Sequence, residues 1–200
     1  MSFLDYLPTT TGAQPSGVKE SRRIFLGRSG VMLSGAAVAL MAGNDVLAKG
    51  HSSKSTESDV RILNSALGAE LEAIAAYQLG AESGLLQKPA LDIAVSFQGQ
   101  HREHADLLSK TVVKLGGKAV VAKAKYQFPT DKLKSQTDVL RFAAMLEKGA
   151  VSAYLGAVPI FDNRDLAKAA ASILGDEAMH WAVLRHVLGD TPVVPSAFMA

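Results

Sequence analysis

The feature that most limits what this chain can fold into is an internal repeat. Glu70, Ala73, Ile74, Ala76 and Tyr77 recur 77 positions later as Glu147, Ala150, Val151, Ala153 and Tyr154. Ala94, Phe97, His101, His104 and Leu108 recur 76 positions later as Ala170, Ile173, Glu177, His180 and Leu184. Spacings of three, four and seven residues put each set on one face of a helix. The order along the chain is Glu…Tyr, His-x-x-His, Glu…Tyr, Glu-x-x-His, which is two helix pairs in tandem.

The polar members of the repeat lie on stripes that are otherwise apolar. Ile173, Glu177, His180, Leu184 and Val187 share core spacing, and so do Leu63, Leu67, Glu70, Ile74 and Tyr77. A carboxylate or an imidazole on a core stripe is costly unless something satisfies it. A metal ion would do so, because inward-facing Glu-x-x-His is the arrangement found in carboxylate-bridged metal bundles. Glu72 and Glu103 fall off these stripes and read as solvated. His51 sits in a polar segment, and His186 lies in the last turn of its helix, where a cation suits the helix dipole.

Four helices follow from the periodicity and its punctuation. The first runs from about Ser58 to Glu82 with Gly84 as its stop, and the second from Pro89 to Gly116-Gly117. The third runs from Gln136 to Val158, ended by Pro159, and the fourth from the capping stretch Asp162–Asp165 to Gly189. No segment alternates with period two, so the chain reads as all-α. Short connections make helices one and two, and three and four, antiparallel hairpins. The long link from about Lys118 to Lys134 crosses the bundle end to end. Its five lysines read as a solvated loop.

The first 48 residues read as an export signal. Arg22-Arg23 precedes an apolar stretch from Gly30 to Gly43, and Val46-Leu47-Ala48 offers a small-x-small cleavage site. This resembles a twin-arginine signal. The stretch is short and rich in Gly, Ala and Ser for a membrane span of about 20 residues. Cleavage after Ala48 would leave a mature chain from Lys49 of 152 residues. The expected organisation is a signal at 1–48, a flexible lead-in at 49–57, a bundle at 58–189 and a tail at 190–200. The mature part carries 17 basic and 16 acidic residues, which gives no electrostatic case for nucleic acid or an acidic membrane. The chain has no cysteine, which excludes disulfides, thiolate ligands and cysteine nucleophiles.

Taken together, the four helices and their ligand-type residues resemble the ferritin-like carboxylate superfamily of bacterioferritins, rubrerythrins and exported ferritin-like proteins. The resemblance covers about Ser58 to Gly189. It implies an all-α, antiparallel ferritin-like four-helix bundle with one long crossover between the second and third helices. It further implies that Glu70 and Glu147 are terminal carboxylates, Glu177 a bridging carboxylate, and His104 and His180 the imidazole ligands. Tyr77 and Tyr154 match tyrosines that hydrogen-bond to ligand carboxylates. One position departs from the pattern: His101 stands where the second helix should supply the other bridging glutamate. A single imidazole nitrogen does not bridge two ions as a carboxylate does, and two divalent ions would keep a residual charge of +1 over three carboxylates. The expectation is therefore unequal filling of two sites, or one ion. The alternative for His101 is a buried group hydrogen-bonded to a ligand carboxylate.

The implied cofactor is non-haem iron, with manganese or zinc as alternatives, as one or two ions. The implied activity is ferroxidase or peroxide-consuming oxidoreductase chemistry, with oxygen or peroxide as substrate. The alternative function is a metal-sequestering or stress-protective structural bundle without turnover. The expected location is the periplasm or another exported compartment, reached through the twin-arginine machinery. The mature form should have no membrane span, and a homodimer is compatible with the sequence.

Overall fold

The computed structural model of the protein describes residues 51–195. The expected export signal, its cleavage site and the last five residues of the tail lie outside the described residues.

Among the described residues there are four α-helices: α1, His51–Glu82; α2, Lys88–Lys114; α3, Gln136–Ala157; and α4, Arg164–Val187. Short 3-10 turns occupy Thr130–Lys132 and Val158–Ile160. No strand occurs among the described residues. Helix α1 begins at His51, seven residues before the expected Ser58, so 51–57 continues the helix. Ser, Thr, Lys and Glu there do not mark a stop, and the segment contains neither Gly nor Pro.

The other boundaries follow local chemistry. Gly84, Gly116 and Gly189 take positive φ just past the ends of α1, α2 and α4, the conformation that lets a helix terminate without a Cβ clash. Pro89 sits in the first turn of α2, where its missing N–H is no loss. Ser135 caps α3 by accepting the Asp138 N–H, and Asn163 caps α4 by accepting the Asp165 N–H.

Helices α1 and α2 pack along one another, as do α3 and α4, while α1 meets α3 and α2 meets α4 across the bundle. The crossover from Leu115 to Ser135 joins opposite ends. At its start the Asn64 side chain on α1 donates to the Lys118 carbonyl at 3.0 Å and accepts the Val120 N–H at 2.9 Å. At its finish the Gln136 side chain accepts the Gln87 N–H, in the α1–α2 turn, at 2.7 Å. This is the single long crossover that the unequal connection lengths predict.

The apolar core falls into two clusters. One contains Leu63, Leu67, Leu108, Val112, Phe161 and Ile173. The other contains Tyr77, Ala94, Phe97, Leu140, Ala144 and Leu184. Between them the repeat places its polar residues. Among the described residues no helix is long and apolar enough to cross a membrane.

Candidate metal centre

All four helices contribute to one buried polar group. Glu70 comes from α1, His101 and His104 from α2, Glu147 from α3, and Glu177 and His180 from α4. All six are buried, Glu177 completely. Helical periodicity puts each on the inward stripe, and antiparallel packing brings the four stripes to the same height.

The ligand atoms form two overlapping sets. Glu70, His101, His104 and Glu177 converge on one side; His101, Glu147, Glu177 and His180 converge on the other. In the first set, Glu70 Oε2 lies 2.8 Å from His101 Nδ1 and 3.6 Å from His104 Nδ1. Glu177 Oε1 lies 3.1 Å from His104 Nδ1 and 3.6 Å from His101 Nδ1. In the second, Glu147 Oε1 lies 3.2 Å from His101 Nε2 and 3.6 Å from His180 Nδ1. His180 Nδ1 is 3.5 Å from Glu177 Oε2. Atoms bound to one ion at roughly 2.0–2.2 Å, at tetrahedral or octahedral angles, sit about 3–3.5 Å apart. The observed spacings match a shared coordination sphere.

Five buried atoms here lack a hydrogen-bond partner: His104 Nδ1, His180 Nδ1, Glu147 Oε2 and both oxygens of Glu177. The 3.1 Å approach of His104 Nδ1 to Glu177 Oε1 is not aligned as a hydrogen bond. The residues that carry these atoms belong to the two sets of converging donors. Leaving a buried polar group unsatisfied costs about 1–3 kcal/mol, and more for a charged one. Nitrogen and carboxylate donors suit iron or zinc. The residues present therefore fit a metal ion at each set.

Surrounding groups hold the ligands in place. Tyr154 on α3 donates to Glu70 Oε1 at 2.6 Å. Tyr77 on α1 donates to Glu147 Oε1. The two tyrosines are crossed: each secures the glutamate of the opposite helix. Two supporting residues escaped the sequence reading. Gln100 Oε1 accepts from His180 Nε2, and Asp176 Oδ2 lies 3.3 Å from His104 Nε2. Both fix the rear nitrogen of a ring and leave Nδ1 facing inward. Each adjoins a ligand in sequence, which is the only sequence signal they carry. Phe97 stacks on the His180 ring at 4.0 Å.

The electrostatics follow from burial and partners. Burial pushes the His101 ring down, but the Glu147 and Glu70 carboxylates outweigh it and hold the ring at about 11. Burial likewise opposes, and Glu177 and Glu70 overcome it, in raising His104 to about 10. His180 is raised against burial by Glu147 and Glu177. Burial acts against Glu70 and Glu147 too, yet the imidazoles hold both carboxyls below the ordinary range. Glu177 is pushed up, chiefly by burial. Burial, then the facing carboxylates, drive the Tyr77 and Tyr154 hydroxyls well up, so both stay protonated as donors.

A cavity of about 50 Å³ lies between α1 and α3. Ala66, Ala69, Ala73, Ala150 and Ala153 line it, and it reaches Glu70, His101 and Glu147.

Residues 58–190 match the ferritin-like domain family. A search of curated proteins returns no match. Among solved structures, the chain is similar to a conserved hypothetical protein of Mycobacterium tuberculosis, at 26% identity and a TM-score of 0.62. That match covers 72% of this chain and 99% of the other. It is also similar to a ferritin-like, diiron-carboxylate protein of Bacillus anthracis, at 18% identity and a TM-score of 0.59. That one covers 70% of this chain and 99% of the other, and at that identity it speaks to the fold alone.

Proposed function

The chain belongs to the ferritin-like domain family, and on that premise we propose that it binds non-haem iron in the bundle core and oxidises it with oxygen or peroxide. The observation that carries this reading is the set of five unpartnered buried nitrogen and oxygen atoms on four of the six ligand-type residues. Glu70 and His104 would hold one ion, Glu147 and His180 the other, with Glu177 and His101 reaching both. Bound iron supplies one-electron chemistry between its divalent and trivalent states. The protein's own part is to hold the carboxylates in fixed orientation through Tyr77 and Tyr154, and the rings through Gln100 and Asp176.

Access supports turnover over pure storage. The cavity of about 50 Å³ beside Glu70, His101 and Glu147 exceeds the roughly 10–15 Å³ needed for one water-sized molecule. Its alanine walls suit oxygen or peroxide rather than a larger organic substrate.

We further propose, from Arg22-Arg23 and the Val46-Leu47-Ala48 cleavage pattern, that the protein is exported by the twin-arginine route to the periplasm or another exported compartment, with the signal removed after Ala48. N-terminal sequencing of the exported protein checks this; an intact Met1 terminus confined to the cytoplasm overturns it.

The function is tested by loading the protein with ferrous iron without oxygen, then admitting oxygen or peroxide. Ferric absorbance should rise as oxidant is consumed, and Glu177→Gln should abolish both. Stoichiometric iron binding without oxidant consumption would establish the metal-sequestering alternative instead.

A further inference from the structure

His101 holds the place in the repeat that Glu177 holds 76 positions later, and it belongs to both ligand sets. It is 1% exposed. Its Nδ1 faces Glu70 at 2.8 Å, and its Nε2 faces Glu147 at 3.2 Å. Glu70 and Glu147 belong to different ligand sets, so the ring spans the two sets with one nitrogen towards each. Glu177 does the same with its two oxygens: Oε1 lies beside His104 and Oε2 beside His180.

We infer that His101 is a bridging ligand whose two ring nitrogens bind two different metal ions. Each ion then has one glutamate of its own, one histidine of its own, one oxygen of Glu177 and one nitrogen of His101. This rests on the reading of the site as a metal centre and specifies how that centre is built. The two sets are equal in number and kind of ligand, which removes the reason to expect unequal filling.

The charge balance agrees. A histidine that binds through both nitrogens has lost its second ring proton to solvent as the two metal–nitrogen bonds form, much as a metal-bound thiol is deprotonated outright. The ring then carries −1. Three glutamates and one such ring carry −4 and neutralise two divalent ions. The competing arrangement keeps both ring protons and uses His101 as a cross-link between Glu70 and Glu147. It leaves five buried atoms on Glu147, Glu177, His104 and His180 unpartnered, and an unsatisfied buried polar group destabilises the fold. An ion in each set satisfies them.

The bridge has a dimension that can be measured. An imidazole ring with a metal bond of roughly 2.0–2.1 Å at each nitrogen separates its ions by about 6 Å. Two-metal sites of the ordinary kind hold theirs ~3.5–4 Å apart. The test uses the protein loaded with zinc. Metal analysis gives the stoichiometry, and anomalous diffraction at the zinc edge gives the separation. The expected result is two ions per chain about 6 Å apart. In His101→Ala both ions should weaken together, while His101→Glu should keep two ions but draw them closer. Circular dichroism of the metal-free variants confirms that they fold. Two zinc ions at the shorter separation in the wild type overturn the bridge. So does a single bound ion, or loss of only one ion in His101→Ala; in each case the metal centre itself survives. No zinc bound at all overturns the metal centre and the bridge with it.

Discussion

Tyr154→Phe removes one hydroxyl from the core and changes little else in shape. That hydroxyl donates to Glu70 Oε1 at 2.6 Å, and the tyrosine is 4% exposed. A hydrogen bond to a charged group contributes roughly 1.5–3 kcal/mol, and water cannot replace the donor at this depth. A loss of ~2 kcal/mol lowers Tm by about 4–8 °C in a chain of this size. Because the bond joins α3 to α1, the loss also releases the orientation of Glu70. Losing such a supporting contact typically weakens metal binding by roughly 10–100-fold. The ion held by Glu70 should be affected, and the ion held by Glu147 should be spared. Tyr77→Phe should show the mirror image, since its hydroxyl serves Glu147. Thermal unfolding of the metal-free proteins and zinc titration calorimetry measure the two effects. Stability within 0.5 kcal/mol of wild type, taken as the ordinary scatter of neutral substitutions, together with unchanged affinity at both sites, would refute the crossed-tyrosine account.

Two further outcomes are expected. The carboxylates hold His101 at about 11 and His104 at about 10, against burial and against an ordinary imidazole value of 6.5, so both rings keep their protons through the neutral range until an ion displaces them. Apparent zinc affinity should therefore rise between pH 6 and 9 by about tenfold per pH unit for each proton displaced. These raised values also contribute stability to the metal-free protein that is complete below about pH 6.5 and fades as pH rises towards 10 and 11. Metal-free stability and metal affinity should thus move in opposite directions with pH; calorimetry in buffers of different ionisation enthalpy, paired with urea unfolding, checks both. The third prediction concerns Asp59, buried on α1, which accepts the Asp162 and Asn163 N–H groups at 2.9 and 3.0 Å and so ties the turn before α4 to α1. Asp59→Ala should cost ~3 kcal/mol in urea unfolding, since two charge-assisted bonds are lost and two donors are left without their acceptor, with zinc stoichiometry unchanged.

The helices, their pairing and the residues that face inward are legible in the order of residues alone. Periodicity set the stripes, Gly84, Pro89, Gly116 and Asn163 set the ends, and unequal connections set the crossover. The repeat was enough to place Glu70, His101, His104, Glu147, Glu177 and His180 on core faces, because helical spacing is a local property. Helix α1 starts at His51 rather than near Ser58, because a polar segment without a breaker looks the same whether helical or not. What needed the tertiary structure was everything that depends on how one helix is rotated against another. The crossed pairing of Tyr77 with Glu147 and of Tyr154 with Glu70 is of this kind. So is the support of His180 by Gln100 and of His104 by Asp176. His101 shows the difference most clearly. From the sequence it was one imidazole where a carboxylate was expected. Only the packing of the bundle, which sets Glu70 of α1 at one nitrogen and Glu147 of α3 at the other, shows that its two nitrogens face two different ligand sets, since spacing along one helix cannot report what lies at either side of a ring.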